Sequence, residues 1–133
     1  MPRILVTGSR DWKDRNRVLW GLSSACLANG WTTEPDEYGN WLPAGDVVLV
    51  HGGCPTGADV MADDWALSSC VTTEVHLAEW DRHGLRAGPI RNEEMVAAGA
   101  DICLAFIRNN SRGASGCAEK AESAGIKTLR FTE

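Results

Sequence analysis

The sequence predicts an α/β fold, a single domain in which helices cover both faces of a parallel five-stranded sheet. Five short apolar or β-branched runs alternate with four stretches whose apolar residues recur at three- and four-residue spacing. Two of the runs, 3–7 and 47–50, are nearly continuous in apolar residues, which is typical of strands buried on both faces of a parallel sheet. The length of 133 residues fits one domain over 1–133, because domains usually have about 100–150 residues.

Strands and helices are predicted in alternation along the chain. The strands are predicted at 3–7, 47–50, 71–77, 101–106 and 127–131, and the helices at 15–28, 58–68, 89–98 and 115–124. Gly30, Gly99 and Gly125 follow three of the helices, where the left-handed residue that ends a helix is usually glycine. Because β-α-β crossovers are right-handed, this order gives a Rossmann-like open sheet with helices on both faces.

One segment interrupts the alternation. Residues 31–46 contain two prolines, two glycines and two tryptophans, with neither a helical nor a strand period. We interpret this segment as a loop insertion. Loops of this length inside a domain are often functional, so it is either a lid, a subunit contact or a simple insertion.

Charge and composition narrow the classes of partner. The formal net charge is −5 and the sequence pI is about 5.2, which argues against nucleic acid, because phosphate neutralisation needs a basic face. No apolar run approaches the roughly 18 residues of a membrane span and no signal peptide is visible, so we expect a cytoplasmic protein without a membrane partner.

The five cysteines form no CxxC pair, and we expect neither a metal nor a cofactor. Six tryptophans exceed what one small core hides, which predicts a homodimer.

The first candidate loop follows the first strand. In an open parallel sheet, ligands bind beyond the carboxyl ends of the strands. Gly8, Ser9, Arg10 and Trp12 offer backbone amides, a hydroxyl, a guanidinium and an indole to a nucleotide. The alternative is an ordinary turn in which Arg10 pairs with Asp11.

The second candidate loop is rich in glycine and leads into a helix, whose free amides and dipole attract anions. Its candidate ligand-binding residues are Gly52, Gly53, Thr56, Gly57 and Asp59. The spacing of the glycines imitates the first half of a Walker A motif, but Ala58 and Asp59 replace its lysine and Ser/Thr, which argues against hydrolysis of nucleoside triphosphates. Thr56 and Asp59 also fit a capping box, so Asp59 either caps its helix or contacts a ribose.

The third candidate loop carries several arginines and a tryptophan. Trp80 is placed to stack on a base, and arginines bind phosphate through paired hydrogen bonds. Arg91 and Asn92 fall in the first turn of a predicted helix, where a cation opposes the helix dipole unless an anion lies nearby. The alternative is a solvated loop in which Glu79 and Asp81 neutralise the arginines.

The fourth candidate loop offers a second anion-binding helix start. Arg112 and Gly113 lie in it, with Ser115 available as the N-cap. Ser115 is followed directly by a glycine, so the segment is not a GxSxG nucleophile motif, and hydrolase chemistry through this serine is disfavoured.

Taken together, these loops resemble one family. The segments that carry the resemblance are GSRDW, HGGCPTGADVMADDWA, EWDRHGLRAGPIRNEEM, DICLAF and SRGASG, and the chain resembles the YspA-like branch of the SLOG superfamily over nearly its whole length. The resemblance implies a Rossmann-like fold that binds nucleotides or nucleotide-derived ligands. It places on ligand-facing positions Gly8, Ser9, Arg10, Gly52, Gly53, Gly57, Asp59, Arg91, Asn92 and Gly113.

The resemblance also identifies catalytic candidates. LOG-type members of the superfamily hydrolyse the N-glycosidic bond of nucleoside monophosphates with an arginine and a glutamate, the latter in a PGGxGTxxE segment. Arg91 matches the arginine, but Cys117 falls where the glutamate is expected. Glu119 is two residues later, roughly 200° around a helix of 3.6 residues per turn. The missing acid favours a binding or sensing protein over an enzyme.

Two alternatives remain open. One is a LOG-like phosphoribohydrolase in which Glu119, Glu93 or Asp59 supplies the carboxylate. The other is a module that handles single-stranded DNA, similar to DprA, against which the acidic composition argues.

Overall fold

The chain alternates strands and helices. In chain order the elements are β1 (Arg3–Gly8), α1 (Arg15–Ala28), β2 (Val48–His51), α2 (Ala58–Ser68), β3 (Thr72–Val75), α3 (Trp80–His83), α4 (Ala87–Ala97), β4 (Ile102–Ile107), α5 (Arg112–Ser123) and β5 (Lys127–Thr132). The computed structural model describes all 133 residues, and its strands pair in parallel in the order β3-β2-β1-β4-β5. The predicted α/β fold with a parallel five-stranded sheet is therefore confirmed. None of the helices has the length and apolar character that a membrane crossing requires.

The burial of each strand follows its place in the sheet. Every residue of β2 and β4 is buried, as are the four inner residues of β1. The edge strands β3 and β5 are mostly exposed. The continuous apolar runs thus belong to the inner strands, as expected for strands covered on both faces.

Each face of the sheet packs against its own pair of helices. Neighbouring side chains of a strand point to opposite faces, so Ile4 and Leu5 of β1 belong to different clusters. Ile4 packs with Leu22 of α1 and other residues of α1 and α2. Leu5 packs with Met95 of α4 and Cys117 of α5. This arrangement confirms the prediction of helices on both faces.

Some helix boundaries differ from the prediction. Helix α5 begins at Arg112, with Ser111 as its N-cap, so the prediction of Ser115 as the N-cap is wrong. Helix α4 begins at Ala87, two residues before the predicted start. The preceding connection, predicted as a loop, contains α3 and a 3-10 turn over Gly84–Arg86, and neither includes a buried residue.

The inserted segment 31–46 joins the end of α1 to the start of β2, which places it at the amino edge of the sheet. Thr32 and Pro43 form an antiparallel bridge within it. None of its residues lines the cleft described below, which lies at the opposite edge. This position is incompatible with a lid over that edge, whereas a subunit contact stays a prediction.

Candidate functional site

The strand order reverses between β1 and β4. From β1 the chain continues to β2 and β3 on one side, whereas β4 and β5 lie on the other. Connections that leave in opposite directions open a crevice beyond the carboxyl ends of the two strands. A cleft of about 980 Å³ lies at this edge, within the range of roughly 300–1,000 Å³ that is usual for small-molecule sites.

The loops after the first four strands all contribute to this cleft. The predicted ligand-binding residues that line it are Gly8, Arg10, Gly52, Gly53, Thr56, Asp59, Trp80, Arg91, Asn92, Arg112 and Gly113. Those that do not line it are Ser9, Trp12, Gly57 and Ser115. The structure therefore brings together most of the predicted residues, including at least one from each candidate loop.

Two of the four remaining residues are buried beneath the first loop. Trp12 is 2% exposed, and its indole packs edge-on against Phe106 at 5.4 Å between ring centroids. It has no face free for a base, so its predicted stacking role is wrong. The hydroxyl of Ser9 is also engaged, because it accepts from the Arg108 amide at 2.8 Å and donates to the Arg108 carbonyl at 3.3 Å.

Gly57 and Ser115, the other two predicted residues outside the cleft lining, lie where the fold itself requires them or inside a helix. Gly57 has a φ of 76°, and a side chain there would overlap the carbonyl oxygen of Ser9. It lets the first and second loops approach closely. Ser115 lies inside α5 and is outside the cleft lining, so neither residue contacts a ligand bound there.

Three amides of the second loop already have partners within the protein. The Asp59 carboxylate accepts from the amides of Gly52 at 3.2 Å and Cys54 at 3.3 Å through its Oδ2 atom. The Gly53 amide donates to His51 Nδ1 at 3.0 Å. Since the protein itself satisfies these three amides, only the first-turn amides of α2, which no side chain caps, are left at this loop for the predicted anion.

The predicted capping box is not formed either. The N-cap of α2 is Gly57, and no side chain bonds to the free amides at this helix start. Asp59 reaches back to the loop and leaves its own first turn uncapped. The sequence spacing alone did not show whether the Asp59 carboxylate bonds to the amides of its own helix start or to those of the preceding loop.

Asp59 is the most unusual side chain of the cleft. It is 6% exposed, and its Oδ1 atom is buried with no hydrogen-bond partner. Burial raises the pKa of this carboxyl, although His51, the Cys54 amide, Arg91 and the Gly52 amide each favour the charged form. A buried polar atom without a partner is rare in native structures.

Arg91 is held in place from three directions. Its Nη1 atom donates to the carbonyl oxygens of Gly52 at 2.8 Å and His76 at 3.4 Å, and its Nε atom donates to Asn92 Oδ1 at 2.8 Å. Asn92 in turn donates through Nδ2 to the Gly113 carbonyl at 3.3 Å. Asn92 therefore positions Arg91 and ties α4 to the start of α5.

The start of α5 also has uncapped amides, and it lines the cleft. Ser111 forms no side-chain cap, so the first amides of this helix have no partner. No atom lies within 4 Å of where a Cβ on Gly113 or Gly116 would stand, which leaves the approach to them open. Arg112 and Lys120 line the cleft beside these amides. Lys120 was not predicted, although its spacing of four residues from Gly116 places both on one helix face.

The opposite end of the cleft is apolar and was only partly predicted. Leu77, Trp80 and Leu85 line it, and Leu85 is 93% exposed. The Arg10 guanidinium lies over the Trp80 ring, with Cζ 5.8 Å from the centroid. Leu77 and Leu85 were not predicted. Their sequence signal was that they are apolar residues in an otherwise polar connection.

The predicted catalytic glutamates lie elsewhere. Glu119 and Glu93 are exposed and do not line the cleft, and Cys117 is buried in the core under α5, where burial raises the pKa of its thiol. The carboxylates that do line the cleft are Asp11 and Asp59. No three His, Cys, Asp or Glu side chains are grouped as a metal site requires.

Comparisons with known proteins point to one family. The family model of the "YspA, cpYpsA-related SLOG family" matches residues 36–83, which include β2, the loop after it and Asp59. The "Gene 61 protein" of Mycobacterium phage D29 is 44% identical to the chain over 136 residues, covering 98% of this chain and 97% of that protein. No solved structure shows significant similarity to the chain.

Proposed function

This chain belongs to the YspA, cpYpsA-related SLOG family, and we propose that it binds or senses a small nucleotide-derived ligand in the cleft at the carboxyl edge of its sheet. One observation carries the proposal. The cleft has a cationic end, where helix amides are free, and an aromatic and apolar end, and these match the phosphate and the base of a nucleotide.

The phosphate would lie at the start of α5. The free first-turn amides and the helix dipole favour an anion there. Arg112 and Lys120 add two positive charges beside it. Arg91 adds a third, because its Nη2 atom has no partner while Nη1 and Nε anchor the guanidinium.

The base would lie against Trp80. This indole is 47% exposed and lines the cleft together with Leu77 and Leu85. Stacking on an aromatic ring tolerates any base, since every base presents a π-face. The Arg10 guanidinium already lies over one face of the Trp80 ring. Arg10 is therefore close enough to contact a base that stacks on this ring.

A thermal-shift and calorimetric screen of nucleotides tests this function. The panel contains the ribonucleoside mono- and diphosphates of the four common bases. A ligand present at about 100 times its dissociation constant adds roughly 2.7 kcal/mol to the free energy of unfolding, which the melting temperature reports. If no member of the panel raises the melting temperature, the proposed function is wrong.

A second candidate function is hydrolysis of the N-glycosidic bond of a nucleoside monophosphate. Asp59 favours it, since this carboxyl lines the cleft and burial raises its pKa, as for acids that protonate a leaving group. Arg91 lies in the same cleft. Release of free base from nucleoside monophosphates, lost in both Asp59→Asn and Arg91→Ala, would identify the protein as this enzyme.

We also infer that the protein forms a homodimer. Trp20 of α1 is 64% exposed and lies edge-on to Phe131 of β5, at 6.3 Å between ring centroids. Leu129 lies on the same face of β5 as Phe131 and is also exposed. Exposed apolar side chains grouped in this way are typical of protein contacts.

A further inference from the structure

One buried oxygen atom of the cleft has no partner within the protein. It is Oδ1 of Asp59. The other oxygen of this carboxylate accepts from the Gly52 and Cys54 amides, which holds the group in one orientation. The orphaned atom is therefore a fixed acceptor in the wall of the cleft, and native structures seldom leave such an atom unsatisfied.

The neighbouring polar groups are not available to satisfy it. His51 accepts from the Gly53 amide through Nδ1, and its Nε2 atom lies 2.8 Å from Asp63 Oδ1. Both side-chain polar atoms of Asn92 are engaged, one with Arg91 and one with the Gly113 carbonyl. Arg91 Nη2 has no partner either, but it does not lie within hydrogen-bond distance of Oδ1. The structure therefore leaves this acceptor open to a donor of the ligand.

The position of Asp59 along the sheet indicates which part of a nucleotide supplies that donor. Trp80 follows β3, Asp59 follows β2 and Gly113 follows β4. In the sheet, β2 lies between β3 and the β1–β4 pair, with neighbouring strands about 4.8 Å apart. Asp59 therefore stands between the aromatic end and the anion-binding end, as the sugar stands between base and phosphate.

The geometry points to Asp59 as the residue that accepts a hydrogen bond from a sugar hydroxyl of the ligand, so that ribonucleotides bind in preference to deoxyribonucleotides. This inference rests on the proposed function and names the sugar that the same site recognises. A sugar hydroxyl both donates and accepts a hydrogen bond, so it pairs with Oδ1 whether the carboxyl group is ionised or protonated. A deoxy sugar would leave Oδ1 as unsatisfied in the complex as it is without ligand.

Calorimetry with paired nucleotides tests the inference. The probe is the ribonucleoside 5′-monophosphate of the four common bases that binds the wild-type protein most tightly, compared with its 2′-deoxy and 3′-deoxy forms. We expect at least one deoxy form to bind about 10- to 100-fold more weakly, because it leaves a buried acceptor unpaired. Comparison of the two deoxy forms shows whether Asp59 accepts from the 2′- or the 3′-hydroxyl group.

An Asp59→Asn variant then assigns the effect to this residue. The amide oxygen of the new side chain can still accept from Gly52 and Cys54, while an NH2 group replaces the orphaned acceptor. Because the NH2 group can donate to a sugar hydroxyl, we expect the preference for the ribose form to fall in Asp59→Asn and to disappear in Asp59→Ala, which leaves no polar side chain. Asp63→Asn is the matched control, because it makes the same change at a carboxylate that pairs with His51 outside the cleft lining, and it should keep the preference.

The outcomes separate the two proposals. Equal affinity for ribose and deoxyribose forms, or a preference that survives unchanged in Asp59→Ala, overturns this inference and leaves the proposed function standing. If no ribonucleoside mono- or diphosphate of the panel binds, both are overturned. If Asp59→Asn does not fold, Asp59→Ser replaces it, and the ratio of affinities in the wild-type protein already decides whether a hydroxyl is read.

Discussion

Arg91 lies so close to the backbone of Gly52 that residue 52 has no room for a side chain. Its Nη1 atom donates to the Gly52 carbonyl at 2.8 Å, and a Cβ on Gly52 would lie 2.6 Å from Arg91 Cζ. The amide of the same glycine donates to Asp59. Gly52 thus links the anchored cation of the cleft to its buried carboxylate.

Gly52→Ala should therefore weaken ligand binding more than it weakens the fold. The added methyl group displaces the Arg91 guanidinium from its three hydrogen bonds into solvent, which should cost about 1 kcal/mol of stability because the side chain is only partly buried. Nucleotide affinity should fall about tenfold, which corresponds to roughly 1.4 kcal/mol. Gly45→Ala is the control, because no atom lies near its Cβ position. A tenfold loss in both variants, or in neither, would contradict the role of Arg91.

Arg112→Ala should lower nucleotide affinity in a way that depends on salt. Arg112 lies in the first turn of α5 and lines the cleft. Removing its charge should weaken binding most at low ionic strength, since interactions between exposed charges are screened over about 10 Å at 0.1 M salt. Titrations at 20 and 300 mM salt measure this difference. Lys127→Ala, a change of equal charge at the start of β5, should leave affinity unchanged.

Trp80→Ala should remove most of the affinity for the base. Stacking of a base on an aromatic ring contributes roughly 1–3 kcal/mol, so a loss of about 10- to 100-fold is expected. Binding should also quench the tryptophan emission of the wild-type protein and not that of the variant. Trp41→Ala serves as the control, because Trp41 is exposed at the amino edge of the sheet. Unchanged quenching in Trp80→Ala would show that the base lies elsewhere.

The sequence predicted the sheet well because its signals are local. Continuous apolar runs identify buried strands without knowledge of their neighbours, and 15–28 and 58–68 are helices over the predicted residues. The rule that ligands bind at the carboxyl edge of the sheet predicted that four loop residues lie together in one cleft. These residues are Arg10, Gly53, Arg91 and Gly113.

The roles of individual atoms were not predictable in the same way. Whether Asp59 caps its helix or bonds the preceding loop depends on the path of that loop, which spacing does not encode. Trp12 is a core residue because Phe106, more than ninety positions later, lies beneath it. Lys120 lies on the same helix face as Gly116, and only the path of the chain before α5 shows that this face lines the cleft.

The oligomeric state is open to a direct measurement. If the exposed side chains of Trp20 and Leu129, beside the partly buried Phe131, form a subunit contact, the sedimentation mass should correspond to two chains at micromolar concentration. Leu129→Lys should then shift it to one chain of 14.4 kDa. Leu67→Lys is the control, because Leu67 is exposed on α2. A mass of one chain for the wild-type protein would exclude the homodimer under these conditions.

Stability should depend on pH through the carboxylate of Glu74. Arg3 donates to it through Nη1 at 3.1 Å and Nη2 at 2.7 Å, and His76 Nε2 lies 2.7 Å away. The hydrogen bonds from Arg3 are the main reason that the pKa of Glu74 is lowered to about 2. Since the pKa is about 4.3 in an unfolded chain, this pair stabilises the fold above that pH and loses its contribution as the pH falls toward 2.

Glu74→Gln tests that dependence. At pH 7 the variant should be less stable by no more than about 1 kcal/mol, because the Glu74 side chain is 38% exposed and solvent screens the pair. The difference from the wild-type protein should shrink as the pH is lowered from about 4.3 toward 2, where protonation neutralises the glutamate as well. Urea unfolding between pH 7 and pH 3 measures both quantities. Glu37→Gln is the control, because Glu37 is exposed and belongs to no ion pair, and it should follow the wild-type curve throughout. If the difference for Glu74→Gln stays constant with pH, the effect does not arise from the charge of Glu74.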